Sequence, residues 1–89
     1  MLKQFTKDPQ ATLDYTIDWS VWLGTDTIAT STWIFDAGIT QVSASLSGAQ
    51  ATVWVSGGSV GILYSVTNRI TTAAGRTDER SILIRVADR

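Results

Sequence analysis

The feature that most constrains this fold is an alternation of side chains within residues 62–86 that is broken at Gly75 and then resumes. Even-numbered positions from Ile62 to Ile70 are apolar except for Asn68, and the odd-numbered positions between them are mostly polar. The apolar residues at 82, 84 and 86 are even-numbered too. A period of two is the mark of a β-strand with one buried face, so this segment predicts two strands of a hairpin.

The connection between these two strands must preserve their parity. A three-residue loop at 73–75 does so, with Gly75 in the left-handed region as the glycine of a G1-bulge hairpin. The cross-strand pairs predicted by this loop are Thr72 with Arg76, Ile70 with Asp78, Asn68 with Arg80, Val66 with Ile82, and Tyr64 with Ile84.

Asn68 stands out as a polar residue on the inward face, opposite Arg80 in this register. An amide oxygen can accept a hydrogen bond from a guanidinium, and Asp78 or Glu79 can take the remaining donors. We therefore interpret Asn68, Arg80 and Asp78 as a structural polar cluster that fixes the hairpin register. A polar ligand pocket is the alternative interpretation.

The rest of the chain reads as further short strands separated by turn signals. ATLDYTIDW alternates with Leu13, Tyr15, Ile17 and Trp19 on its inward face, and SVWLG after it predicts one tight turn with Trp22 and Leu23 packed beneath. The other predicted strands are LKQFTK as a short edge strand ended by Asp8-Pro9, residues 27–35 with Trp33 on the face of Ala29, Ser31 and Phe35, residues 39–43, and QATVWVS with Ala51, Val53 and Val55 inward.

About seven short strands in 89 residues predict an all-β fold, an immunoglobulin-like antiparallel sandwich that forms one domain over residues 1–89. A small closed barrel is the alternative. No segment has a sustained helical period, an internal repeat or low complexity.

Composition narrows the function classes. The chain has no cysteine and no histidine, which removes disulfides, thiolate metal sites and the commonest general base. A net charge of −1 gives no basic surplus for nucleic acid or an anionic membrane. No apolar run suits a membrane helix and MLKQFTKDPQ lacks the apolar core of a signal peptide, so we expect synthesis and use without Sec export.

The carboxylates suggest no strong ligand site. Asp14 and Asp18 lie on one outward strand face and Asp26 follows in a turn. They lack the dense spacing of a dedicated calcium loop, so we interpret them as solubilising charges, with calcium binding as the alternative. We predict no enzyme activity and no cofactor.

Four tryptophans divide between core and surface. Trp19 and Trp33 are in phase with apolar neighbours, which predicts burial, whereas Trp54 has the opposite phase to Val53 and Val55. An outward ring suits a protein interface or sugar stacking, and it can also lie flat on its own sheet. Trp54, with Trp22 in the turn, forms the predicted partner-binding set.

Part of the chain resembles immunoglobulin-like domains. Gly61, Tyr64 and Val66-Thr67 have the spacing of the sixth strand in such domains. The resemblance implies that the Tyr64 hydroxyl bonds backbone near the preceding corner and that Trp33 is the core tryptophan of the third strand.

A longer resemblance covers residues 7–86. The stretches DYTIDWSVWLG, DTIATSTW, ATVWVSGG and YSVTNRITTAAGRTDERSILIRV resemble a family of small proteins encoded among the structural genes of tailed bacteriophages and prophages. The resemblance implies an immunoglobulin-like virion protein associated with the tail or its fibre-attachment region.

Two functions are therefore expected, in this order. The first is a non-enzymatic virion structural protein, made in the bacterial cytoplasm, whose partners are other phage tail or fibre proteins. An excess of acidic residues in 1–45 and of arginines in 46–89 leaves a homo-oligomer in the particle open. The second is a carbohydrate-binding or adhesive module that uses Trp22 and Trp54 as stacking platforms.

Overall fold

The computed structural model describes residues 3–88. Within this range, seven strands and one short helix follow one another. They are β1 (Lys3–Lys7), β2 (Leu13–Asp18), α1 (Ser20–Leu23), β3 (Ile28–Phe35), β4 (Ile39–Ser47), β5 (Gln50–Gly57), β6 (Leu63–Thr72) and β7 (Thr77–Val86).

The strands form two sheets, which confirms the predicted sandwich. One sheet has the order β1-β7-β6-β3 and the other has the order β2-β5-β4. All pairs are antiparallel except β1 with β7, which run parallel. The edges are thus β1 and β3 in the four-stranded sheet, and β2 and β4 in the three-stranded sheet.

The core lies between the sheets and follows the alternation of the sequence. The inward phases predicted for β2, for β5 and for the hairpin from Tyr64 onward are confirmed, because their inward apolar residues are buried or half-buried and Trp54 between Val53 and Val55 is exposed. The buried apolar residues are Tyr15, Ile17, Trp19, Leu23, Trp33, Ile39, Ala51, Val53, Val55, Tyr64, Val66, Ile70, Ile82, Ile84 and Val86.

The β6–β7 hairpin has the predicted register. Each expected pair from Tyr64–Ile84 to Ile70–Asp78 is observed, and the Thr72 amide bonds the Arg76 carbonyl at 2.8 Å. Gly75 has φ = +91°, as the G1-bulge loop requires. The loop length therefore decides which side chains of β7 face the core.

The corner before β6 is built around Tyr64. Its hydroxyl accepts the backbone N–H of Ser59 at 2.8 Å, the bond expected of a tyrosine corner. Gly58 fits beside this ring with φ = +95°, and a Cβ there would lie 2.6 Å from a methyl carbon of Val86. The tight corner also corrects one prediction, because Ile62 lies before β6 and is about half exposed instead of facing the core.

β4 is longer than the predicted strand of residues 39–43. It reaches Ser47 because it continues to pair with β5 after a β-bulge between Gln41 and Ser43. Only Ile39 in this strand is buried. Its small polar residues provide no apolar alternation, so the pairing with β5 carries the strand beyond what periodicity indicates.

Lys7 is an inward charge that the sequence analysis missed. Its side chain is fully buried, and Nζ donates 2.8 Å hydrogen bonds to the carbonyls of Asp8 and Gly57. Burial lowers the pKa of this ammonium, and the neighbouring Asp8 charge opposes the shift. Because Lys7 belongs to β1 and Gly57 to β5, the bond ties the two sheets together. The only signal in the sequence is the shared phase of Lys7 and the half-buried Phe5.

Candidate functional site

The outer face of the three-stranded sheet presents one large aromatic ring. Trp54, on the central strand β5, is 41% exposed and lies between Asp14 of β2 and Ser43 of β4. The next pair along, Thr16 and Thr52, joins through their hydroxyls at 2.8 Å. The face is thus polar around a single tryptophan, which suits a protein contact with an aromatic anchor.

Trp22, the other predicted partner-binding residue, has a different environment. Its ring meets Trp19 edge-on, with centroids 5.4 Å apart, and the Arg76 guanidinium lies 4.3 Å from its centroid. Trp22 is half-buried against the core. It therefore braces one end of the sandwich, and Trp54 is the more exposed of the two rings.

Asn68 and Arg80 face each other in register, but their side chains bond elsewhere. Asn68 is fully buried, and its Oδ1 accepts the indole N–H of Trp19 at 2.9 Å. Its Nδ2 donates to Ser31 Oγ at 2.8 Å and to the Thr32 carbonyl at 3.2 Å. The expected Asn68–Arg80 hydrogen bond is therefore wrong, since the donor is the indole of Trp19, the buried residue that follows β2.

The other members of the predicted polar cluster also separate. The Arg80 guanidinium stacks 4.3 Å from the centroid of the Trp19 ring and donates to the Asp18 carbonyl at 3.0 Å. Asp78 accepts the backbone N–H of Glu79. Arg80 is exposed, so it covers the core tryptophan from the solvent side.

Asp26 and Arg76 tie the β6–β7 turn to the loop after α1. Arg76 Nε lies 3.1 Å from Asp26 Oδ2, and Arg76 also donates to the Leu23 carbonyl. The hydrogen bond from the Thr72 side chain is the main cause that lowers the pKa of the Asp26 carboxyl, and bonds from Thr27, Arg76 and Ala74 add to it. Asp26 therefore holds the β6–β7 turn in place, a structural role beyond the predicted solubilising charge.

Asp26→Asn is expected to lower the melting temperature near neutral pH and to matter less in acid. The folded pKa of Asp26 lies below its ordinary value of 3.8, so its stabilisation is complete above that value and is lost as the pH falls through the folded pKa. Thermal melts of both proteins from pH 7 to pH 2 measure the difference, which should shrink below about pH 4. Asp14→Asn removes the same charge from the exposed outer face and serves as the control; a pH-independent difference for Asp26→Asn would contradict the linkage.

The remaining surface features of residues 3–88 are dispersed acidic side chains and a charged cleft. Within residues 3–88, no three acidic side chains converge as a metal site would require. Asp18 accepts the backbone N–H of Ser20 at the start of α1. No helix in this range is long and apolar enough to cross a membrane. A cleft of about 760 Å³ opens between β1, β7 and β2, where Lys3, Asp18 and Arg80 place charges of both signs.

The comparisons with known proteins agree with this picture. A family model described as "Podophage GP4 fiber-tail adaptor protein gp77" matches residues 7–85. No curated protein matches the chain significantly. Among solved structures, the PKD domain of the KIAA 1837 protein, determined in solution, aligns with a TM-score of 0.62 and 21% identity, over 98% of this chain and 80% of its own. That similarity shows the fold.

The immunoglobulin-like fold and the tail-associated phage family predicted from the sequence are both confirmed by these matches. The family match begins at the buried Lys7, the last residue of β1, and ends one residue before the end of β7, so it includes strands β2 to β6 in full and nearly all of β7. The chain therefore belongs to the podophage fibre–tail adaptor family represented by gp77.

Proposed function

We propose that this protein is a non-enzymatic adaptor that joins a fibre to the tail of a podophage-like particle. The observation that carries the proposal is the family match over residues 7–85. A tail-associated structural role follows from that family. The finer statement, that the chain contacts both a tail protein and a fibre protein, is our own inference from the adaptor description.

The surface of the domain supports binding to macromolecules. Trp54 is exposed at the centre of a sheet face, where a partner protein can bury its aromatic ring and exclude water from it. Asp18 and Asp26 are already engaged in bonds that hold the fold. We assign Trp54 as an anchor for a virion partner, and Trp22 as the ring that braces the neighbouring end of the domain.

The experiment that tests the adaptor role is removal of the gene from its phage or prophage. Particles that lack this chain are expected to keep their tails and lose their fibres, since an adaptor is needed to attach one to the other. Negative-stain electron microscopy scores the fibres, mass spectrometry scores the virion proteins, and the wild-type gene supplied in trans is the control. Fully fibred particles without the chain would refute the adaptor role.

Trp54 variants test the contact surface within the same experiment. Trp54→Ala should keep the fold and weaken incorporation, since an anchoring tryptophan commonly contributes about 2 kcal/mol or more to an interface, roughly thirtyfold in affinity. Trp54→Phe retains an aromatic ring and should recover part of the binding. Normal incorporation of Trp54→Ala would show that the contact lies on another surface. A shift of the Trp54 indole resonance by soluble glycans would favour the adhesive alternative.

A further inference from the structure

The two lateral sides of the sandwich differ in how their edge strands are protected. On one side, β1 and β2 carry Lys3, Lys7, Asp14 and Asp18, and Lys7 points inward. On the other side, β3 and β4 carry no charged residue at all. Charged and inward-pointing side chains are the devices by which edge strands avoid pairing with other chains. The β3–β4 side lacks them.

β4 presents an open edge along most of its length. Residues 40–47 are exposed, and within residues 3–88 the strand pairs only with β5. Ala44 and Leu46 lie opposite the fully buried Val53 and Ala51, so they are on the inner face of the sheet. Leu46 is nevertheless 41% exposed, because the sandwich is open at this side.

A groove between β3 and β4 carries a second, independent sign of a missing contact. Its volume is about 220 Å³, and Ala29, Ser31 and Trp33 of β3 line it together with Ala44 and Leu46 of β4. Trp33 is 9% exposed, and its indole N–H is buried without a hydrogen-bond partner among residues 3–88. A buried donor left unpaired is costly, so an acceptor at this groove would relieve it.

The free edge of β4 shows where an added strand would fit. The four-stranded sheet ends in β3, and the facing sheet ends in β4 on the same side of the sandwich. One more strand beside β4 would extend the three-stranded sheet past this groove. Its inward side chains would then fill the groove over Trp33, in the way that β-strand addition combines backbone pairing with side-chain pockets.

We propose, on the basis of the adaptor role, that an extended and uncharged segment of another virion protein adds as a strand to the free edge of β4. Its small side chains enter the β3–β4 groove, and a hydroxyl among them accepts the Trp33 indole N–H. The absence of charge on both groove strands selects an uncharged segment, since a charged side chain would be desolvated there without a partner.

A second copy of this chain fits the groove less well than a partner segment. The seven strands within residues 3–88 are all paired in their own sheets, so none is spare to enter the groove of a neighbour. A copy could offer only an edge strand that already belongs to its own sandwich, and the inward side chains of that strand face the second sheet of that copy.

The test compares Leu46→Lys with Gln4→Lys in phage particles. Leu46 is half exposed, so a lysine there can reach water and leave the isolated domain folded, which circular dichroism verifies. In the particle its charge would be buried by the added strand, and incorporation measured by mass spectrometry should fall about tenfold or more. Gln4 lies on the charged β1 edge and is exposed, so Gln4→Lys should incorporate normally.

Photo-cross-linking of the otherwise wild-type protein provides a measurement that does not depend on the lysine variant. A photoreactive residue at 46 should cross-link to another virion protein in the assembled particle, and one at position 4 should not. Normal incorporation of Leu46→Lys, or cross-links from position 46 only to a second copy, would overturn the partner strand while leaving the adaptor role intact. Absence of the wild-type chain from particles would overturn both.

Discussion

Trp19→Ala is expected to destabilise this domain more than any other single tryptophan substitution, by about 5 kcal/mol in the free energy of unfolding. Trp19 is fully buried, donates its indole N–H to Asn68, packs edge-on against Trp22 and lies beneath the Arg80 guanidinium. Truncation to alanine leaves a large cavity and also an unpaired acceptor on Asn68. A small domain has roughly 5–15 kcal/mol of stability in total, so the variant should retain only a fraction of the wild-type stability.

Two further tryptophan variants give this prediction its scale. Trp33→Ala should cost about 3–5 kcal/mol, since its ring is nearly as buried but its indole N–H has no partner within residues 3–88 to lose. Trp54→Ala should cost well under about 1 kcal/mol, because the ring is 41% exposed. Urea unfolding followed by far-ultraviolet circular dichroism ranks the three. A smaller loss for Trp19→Ala than for Trp33→Ala would show that the Trp19–Asn68 bond contributes little.

The parts of the fold that were predictable are those fixed by local pattern. The alternation within residues 62–86 and a three-residue loop determine the whole hairpin register, because a shift by one residue would turn the inward apolar side chains of β7, Ile82, Ile84 and Val86, to the solvent. The outward position of Trp54 follows for the same reason from the valines on either side of it. Strand phase was therefore sufficient to separate this surface residue from the core.

Contacts between the sheets could not be predicted in the same way. The hydrogen-bond partner of Asn68 is Trp19, which lies 49 residues away in sequence, and the acceptor for Lys7 is Gly57, 50 residues away. Register identifies the neighbour across a hairpin, here Arg80, but it does not reveal which side chain comes from the opposite sheet. The length of β4 was missed for a related reason, because its pairing with β5 replaces the apolar alternation that a periodicity argument needs.

The candidate site shows the same division between local pattern and assembly. The exposure of Trp54 was visible from sequence, whereas the β3–β4 groove depends on how the edge strands of two different sheets lie beside each other. The family resemblance supplied the tail association, which strand periodicity cannot supply because many unrelated functions share this type of sandwich.

Asn68→Leu is the second substitution with a large expected effect, about 3 kcal/mol in the free energy of unfolding. Leucine has the same branched shape as asparagine but a larger volume, so the loss combines broken hydrogen bonds with tighter packing. It leaves the buried Trp19 indole N–H without its acceptor at 2.9 Å and Ser31 without its donor at 2.8 Å.

A double-mutant cycle with Trp19→Phe isolates the shared bond, since the phenylalanine has no N–H left to satisfy. The free energy of unfolding lost by the double variant should be smaller than the sum of the two single losses by about 1 kcal/mol or more. Thr16→Val is the matched control, because it removes a side-chain hydrogen bond of similar length that is exposed and should change stability by less than about 0.5 kcal/mol. Strict additivity in the cycle would mean that Trp19 and Asn68 stabilise the domain independently, and that the polar residue in the apolar row of β6 is retained for a reason other than its bond to Trp19.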